Sequence, residues 1–348
     1  MNIENGNLLS NPPKKKEFIG YIHNFRGLAI IFVVACHLLL QWEEGSKMYL
    51  FLDMLWGNGT LLFVFIAGYL FQHLSKKYEY KDYILKKLKN VLIPYVLISI
   101  PIIAYRLYSN DVPGYILEAQ PDFLSWGIAR KIGYFLIYGA HMQPLWFVPM
   151  ITLFYIAAPV FIFLDRHPKL YFLLIPLFAV SLMVDREPFS DIPRMFIHFV
   201  SVYVYGMFMS RYKEQYLTLA RKYWILISLI TVAAFMINYF YYDPYNNPLN
   251  YIHKMLFCAF FIYWLWRLDR FMPKFLTVLA EISFGIFFLH YYFILLFKGV
   301  FEKVKGSPIP GSLLYWTIDF IAVLFATVIL IKIIKKIFPR NSRQLIGC

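Results

Sequence analysis

The stretch Asn24-Phe25-Arg26-Gly27-Leu28-Ala29-Ile30-Ile31-Phe32-Val33-Val34-Ala35-Cys36-His37 sets an arginine and a histidine eleven positions apart inside an apolar run. On an α-helix, eleven steps make three turns and about 20°, which predicts Arg26 and His37 on one face about 16 Å apart. An ionisable group inside an apolar membrane helix is costly to place and by default marks function. Two on one face, with Ile30 and Val33 between them, predict a polar track running into a bilayer. The bland alternative is an arginine snorkelling to the headgroups and a histidine bonded to a neighbouring helix.

The rest of the chain agrees with a membrane setting. Apolar residues make up 60% of the 348 and charged residues only 16%, against roughly 45–50% and about 25% in soluble domains. The apolar runs are continuous rather than alternating, so the chain reads as an all-α integral membrane protein and not a barrel. About 20 apolar residues cross a bilayer, and ten segments qualify: 19–41, 49–73, 91–108, 144–164, 169–185, 194–210, 223–242, 251–267, 275–298 and 312–334. The fold expected is a bundle of about ten transmembrane helices. Residues 1–18 form a polar basic segment, 19–336 the membrane domain and 337–348 a tail.

The net charge of +14 is distributed between the spans, which excludes nucleic acid as the reason for it and follows the positive-inside rule. With both termini cytoplasmic, 23 basic residues face inward and about ten outward. The strongest basic segment is 75–90, a topology determinant that also offers Lys86, Lys87 and Lys89 to a phosphorylated cytoplasmic substrate. The polar first 17 residues and the lack of a small-residue cleavage site argue against a signal peptide. Three cysteines make no disulfide framework. The terminal Leu-Ile-Gly-Cys is not a prenylation signal. No metal-ligand spacing, P-loop or dinucleotide fingerprint is present, so no metal or bound cofactor is expected.

A neutral histidine suits general-base work, and a guanidinium suits phosphate or a developing oxyanion. A long substrate with an anionic head and a reactive tail could run from Arg26 to His37, and acyl-coenzyme A has that form. Here the chain resembles the acyltransferase-3 membrane proteins, whose first span carries Arg, ten residues, then His. The resemblance continues in order. Gly59 to Tyr69 resembles the family's second-span Phe-Phe-x-x-Ser-Gly-Phe segment, and Lys86 to Tyr95 its basic stretch ending in Ile-Pro-Tyr. Leu145-Trp146-Phe147 resembles its Leu-Trp-Phe element, and Ser283 to His290 its Ser-Tyr-x-x-Tyr-Leu-x-His segment. Three positions depart from the pattern: His23 stands where Asp is usual, Ala67 where Ser is common, and Leu61 where an acidic residue is frequent.

The resemblance implies transfer of an acyl group, most often acetyl, from cytoplasmic acetyl-CoA to a hydroxyl of an envelope polysaccharide or lipid-linked glycan, in the bacterial inner membrane. His37 and Arg26 would be catalytic. His23, Trp146, His290, Lys86, Lys87 and Lys89 are the candidates for substrate contact. Some family members carry an extracytoplasmic esterase-like domain; the residues after the tenth span here are too few for one. Transfer would then be completed in the membrane, or a separate protein would accept the acyl group. The competing class is a glycan transporter without chemistry, which acyl-CoA dependence would separate from an enzyme.

Overall fold

The computed structural model describes residues 19–38, 40–43, 45–187, 189–243 and 248–348; the basic segment at 1–18 lies outside the described residues. The described residues are helical, with no β-strand and one isolated bridge between Gln41 and Pro310. Helices α1 (Gly20–Ala35), α2 (Lys47–Trp56) and α3 (Thr60–Leu74) are followed by α4 (Tyr80–Lys87), which a π-helical turn at Leu88–Leu92 joins to α5 (Ile93–Ser109). Next come α6 (Gly114–Ala119), α7 (Ile128–Tyr138), α8 (Phe147–Ile156), α9 (Ala158–Arg166) and α10 (Leu174–Met183). The chain closes with α11 (Ile192–Arg211), α12 (Lys213–Phe240), α13 (Pro248–Arg267), α14 (Lys274–Glu281), α15 (Ser283–Lys305), α16 (Leu313–Ile337) and α17 (Ser342–Ile346).

Six units among the described residues are long and apolar enough to cross a membrane: Lys47–Leu74, Tyr80–Ser109, Ile192–Arg211, Lys213–Phe240, Ser283–Lys305 and Leu313–Ile337. The pair Gln143–Ile156 and Ala158–Arg166, bent by 51°, would make a seventh. Helix α1 and Pro168–Met183 are apolar but shorter. Helix α13 has 20 residues but carries Asn250, His253 and Lys254. Each of the ten expected segments is thus helical over most of its length, and length and composition alone mark six of these units, or seven with the bent pair, as long enough to cross. The lipid-facing surface is plain on α12, where Ile225, Leu226, Leu229, Val232, Met236 and Phe240 are all exposed. In water such a patch would be an aggregation site; in hydrocarbon it is the expected boundary.

Two close approaches organise the interior. A Cβ on Gly68 would stand 2.0 Å from the Tyr203 carbonyl oxygen, and one on Gly206 2.1 Å from that of Phe65. Helices α3 and α11 therefore pack backbone to backbone, as small residues allow where no water drives association. Gly27 does the same for α1, where a Cβ would meet the Leu276 carbonyl at 2.2 Å. Helix α1 is thereby surrounded by α3, α13, α14 and α15. Arg26, which it carries, is half-buried among these helices.

Several expected spans are interrupted, and two of the breaks bear on function. The first helix does not reach His37: it ends at Ala35, with Cys36 as its cap. Beyond it the chain turns toward 309–311, where the Gln41 N–H donates to the Ile309 carbonyl at 2.9 Å and the Gly311 N–H donates to that of Gln41. The span expected at 275–298 is likewise two helices, α14 and α15, meeting at Ile282 with φ −106° and ψ 13°. That bend delivers Ser283 to Arg26.

Candidate functional site

Arg26 is half-buried and donates through Nη2 to Ser283 Oγ at 2.8 Å. In the family pattern an acidic residue three positions earlier would be the natural partner; here a serine from α15 takes that part. His23 lies within reach of Thr277, Glu281 and Arg26. Its neighbour Asn24 donates to Asp269 Oδ1 at 3.0 Å and accepts from Thr277 Oγ1 at 3.2 Å, fastening this end of α1 to α14.

Two further cations stand close to Arg26. Lys87 lies over the rings of Tyr155, at 4.6 Å, and Tyr83, at 5.3 Å, and it feels the charges of Arg26 and Arg343. Arg343 belongs to α17, which packs against α5 and α15. No carboxylate of the described residues forms an ion pair with Arg26, Lys87 or Arg343. Three cations without a counter-charge are unfavourable unless an anion visits them. Lys86 and Lys89 are exposed and stand outside this cluster. The sequence offers no signal for Arg343, which sits in a polar tail like any solvated charge.

Ser283, which holds Arg26, also lines a small cavity of about 20 Å³ with Val33, Thr60, Phe63, Phe147, Phe284 and Phe287. The space admits about one water-sized group. Its walls are mostly aromatic and aliphatic and include Val33, whose carbonyl accepts from His37. The cavity thus touches Ser283, which binds Arg26, and Val33, which binds His37.

His37 caps the end of α1 with its own side chain: Nδ1 meets the Val33 carbonyl at 2.5 Å. Cys36 Sγ shares that carbonyl at 3.2 Å. His290, four residues into the turn after Ile286, places Nδ1 at 2.8 Å from the Ile286 carbonyl and 3.0 Å from that of Phe287. A carbonyl only accepts, so Nδ1 carries the proton in both rings and Nε2 carries the lone pair. The two rings face each other with centroids 5.4 Å apart, and His290 Nε2 is buried without a hydrogen-bond partner. Tyr291 stands against His37 at 6.0 Å, edge on, and donates to Gln143 Oε1 at 3.1 Å.

Trp146 is buried, in the short turn Gln143–Trp146 before α8, and stacks on Phe199 with centroids 6.2 Å apart. Arg186 lies over this pair, 5.5 Å from the Trp146 ring and 5.9 Å from that of Phe199. Its charge reaches His37, Cys36 and Asp53. Asp53 in turn accepts from the Tyr242 hydroxyl at 2.5 Å. Lys254, fully buried, donates to the Met54 and Leu55 carbonyls, so it closes the free C-terminal end of α2. Arg186 and Lys254 are not among the sequence-derived candidates. Lys254 carried a usable signal, an ionisable group in an apolar run; Arg186, between Asp185 and Glu187, did not. Among the described residues no group of three or more His, Cys, Asp or Glu side chains gathers as metal ligands.

A family model described as an acyltransferase domain matches residues 19–334, nearly the whole chain. This chain belongs to the acyltransferase-3 family. No curated protein and no solved structure matches it. Membership makes the protein a membrane acyltransferase, and the matched residues take in Arg26, Ser283, the small cavity and both histidines. Arg343 lies beyond the matched range.

Proposed function

We propose that this acyltransferase takes an acyl group, acetyl in the simplest case, from cytoplasmic acyl-CoA and transfers it to a hydroxyl of an envelope glycan in the bacterial inner membrane. One observation supports the reading: a cation cluster without a carboxylate partner and a lone-pair histidine stand at the two ends of the first apolar run, and a small cavity touches the residue that binds each, Ser283 for Arg26 and Val33 for His37. Coenzyme A has phosphates at one end and a thioester at the other. Arg26, Lys87 and Arg343 would hold the phosphates, which suit guanidinium and ammonium donors. The pantetheine arm would enter through the small cavity, opened by Phe63, Phe147 and Phe287 turning aside, and present the thioester carbonyl near His37.

In the transfer step the acceptor oxygen attacks the thioester carbon while its proton moves to His37 Nε2. The carbon–sulfur bond then breaks, the electron pair leaves on sulfur, and Nε2 returns the proton to give free coenzyme A thiol. The Val33 carbonyl steadies the imidazolium through Nδ1–H. His290, whose Nε2 has no partner, could accept a hydrogen bond from a second hydroxyl of the acceptor, next to the one that attacks. The test is a single turnover of purified protein in nanodiscs with radiolabelled acetyl-CoA. The expected result is label retained on coenzyme A until a glycan fraction is added, then moved to glycan in wild type and not in His37→Ala. Label trapped on protein without acceptor would replace direct attack by an acyl-enzyme relay. Glycan movement independent of acyl-CoA would favour a transporter.

A further inference from the structure

The charge pattern around residues 184–194 leaves one cation unassigned. Asp185 and Glu187 flank Arg186 in sequence, yet both turn to Arg194: Asp185 Oδ2 stands 3.7 Å from Arg194 Nη2, and Glu187 Oε1 pairs with Nη1. Arg186 forms no hydrogen bond or ion pair of its own with the described residues. It lies instead across Trp146 and Phe199, remains accessible, and directs its charge toward His37.

The segment that carries Arg186 is fixed from three sides. His198 Nδ1 donates to the Val184 carbonyl at 2.6 Å. Tyr134 donates to the Phe189 carbonyl at 2.7 Å, and the Phe189 ring stacks on Tyr115 at 4.1 Å. A free guanidinium held this firmly beside two aromatic faces and a general base is a built recognition site rather than a solvated charge. Asp53, whose charge acts on Arg186, is already engaged by Tyr242. The position therefore keeps positive potential next to the reacting hydroxyl.

We infer that Arg186 recognises a negative group on the acceptor, so that the glycan offered to His37 carries a carboxylate or a phosphate close to the hydroxyl that is acylated. The aromatic pair Trp146 and Phe199 would flank the sugar ring, and the guanidinium would pair with its anion, fixing which hydroxyl faces Nε2. This rests on the acyltransfer reading for its purpose, but its test does not need transfer.

The full chain in nanodiscs is titrated with methyl glucuronide, glucose 1-phosphate and methyl glucoside in the absence of any acyl-CoA. One of the two anionic sugars should bind at least about tenfold more tightly than the neutral one, the value of one charge-assisted hydrogen bond. Which of them does so distinguishes carboxylate from phosphate. Arg186→Gln should erase the preference, and Arg186→Lys should keep part of it because charge remains while the planar fork is lost. Equal binding of all three, no binding of either anionic sugar, or a preference that survives Arg186→Gln would overturn the inference. Acyl-CoA turnover measured on the same samples separates the two claims. Turnover without anionic preference removes the Arg186 site alone, and anionic preference without turnover removes the acyltransfer reading.

Discussion

At the scale of single residues, the account depends on charges whose partners are missing and lone pairs whose partners are fixed. Arg26 has a hydroxyl from Ser283 rather than a carboxylate, so its charge stays available. Arg343 adds its charge to the same cluster from a different element, and in the proposed function it is a phosphate contact. Arg343→Gln should therefore raise the KM for acetyl-CoA about tenfold, the value of one charged contact, and leave kcat within about twofold. The steady-state KM–kcat split is the check; a fall in kcat at constant KM would place Arg343 outside the donor site. The sequence made Arg26, His37 and His290 visible because ionisable groups inside apolar runs stand out. It hid Ser283 as Arg26's partner, since the contact spans 257 positions. It hid Arg186 because a cation between two acids looks neutralised, and only the folded chain shows both acids turned to Arg194.

At the scale of elements, the breaks matter more than the helices. The apolar run continues through Leu38, Leu39 and Leu40, so nothing in its pattern shows α1 ending at Ala35. The end is set by pairing with 309–311, far away in sequence. The consequence is a histidine at a helix terminus, where its ring can fold back onto Val33. The small cavity beside Ser283 is lined by the same residue. Val33→Phe should fill the cavity of about 20 Å³ and cut transfer by about tenfold or more while the protein still folds, since overpacking at one site costs about 1–3 kcal/mol. Monodisperse elution with unimpaired transfer would show that the donor takes another route.

The cap formed by α6 and α7 offers a second test at this scale. It has its own small core of Ile103, Ile116, Phe123, Tyr134, Phe135 and Ala140. His141, in the loop after α7, joins it to α5 through Ser99 at 2.7 Å and the Phe135 carbonyl at 2.9 Å. Burial, with a smaller opposing contribution from that carbonyl, pushes the His141 imidazole down to about 4. The unfolded segment titrates near 6.5 and so binds more protons than the folded one below that value. Stability of the cap should be full above about pH 6.5 and fall progressively toward pH 4. Hydrogen exchange of residues 114–138 should speed up between pH 7 and pH 5, after correction for the intrinsic rate, and His141→Phe should blunt the change. Equal protection at both pH values in wild type would refute the role of His141.

At the scale of the whole molecule, fold class was readable because continuous apolar runs leave a chain few options in a bilayer. The number of crossings was not, since α1 is short, α13 carries polar residues, and α8 and α9 are bent against each other. The basic bias between spans predicts that Lys81 and Arg340 face one side and Glu118 the other; all three are exposed. Single cysteines at these positions, in a variant lacking the native three, should label accordingly with a membrane-impermeant maleimide. Lys81→Cys and Arg340→Cys labelling from opposite sides would exclude the ten-span arrangement. The central claim, acyl transfer to a glycan through His37, is reached most directly in cells. Alkali-labile acetate is measured on envelope glycans of a strain lacking the protein, complemented with wild type or His37→Ala at matched membrane levels. The account predicts acetate restored by wild type and absent with His37→Ala; equal restoration by both would contradict it.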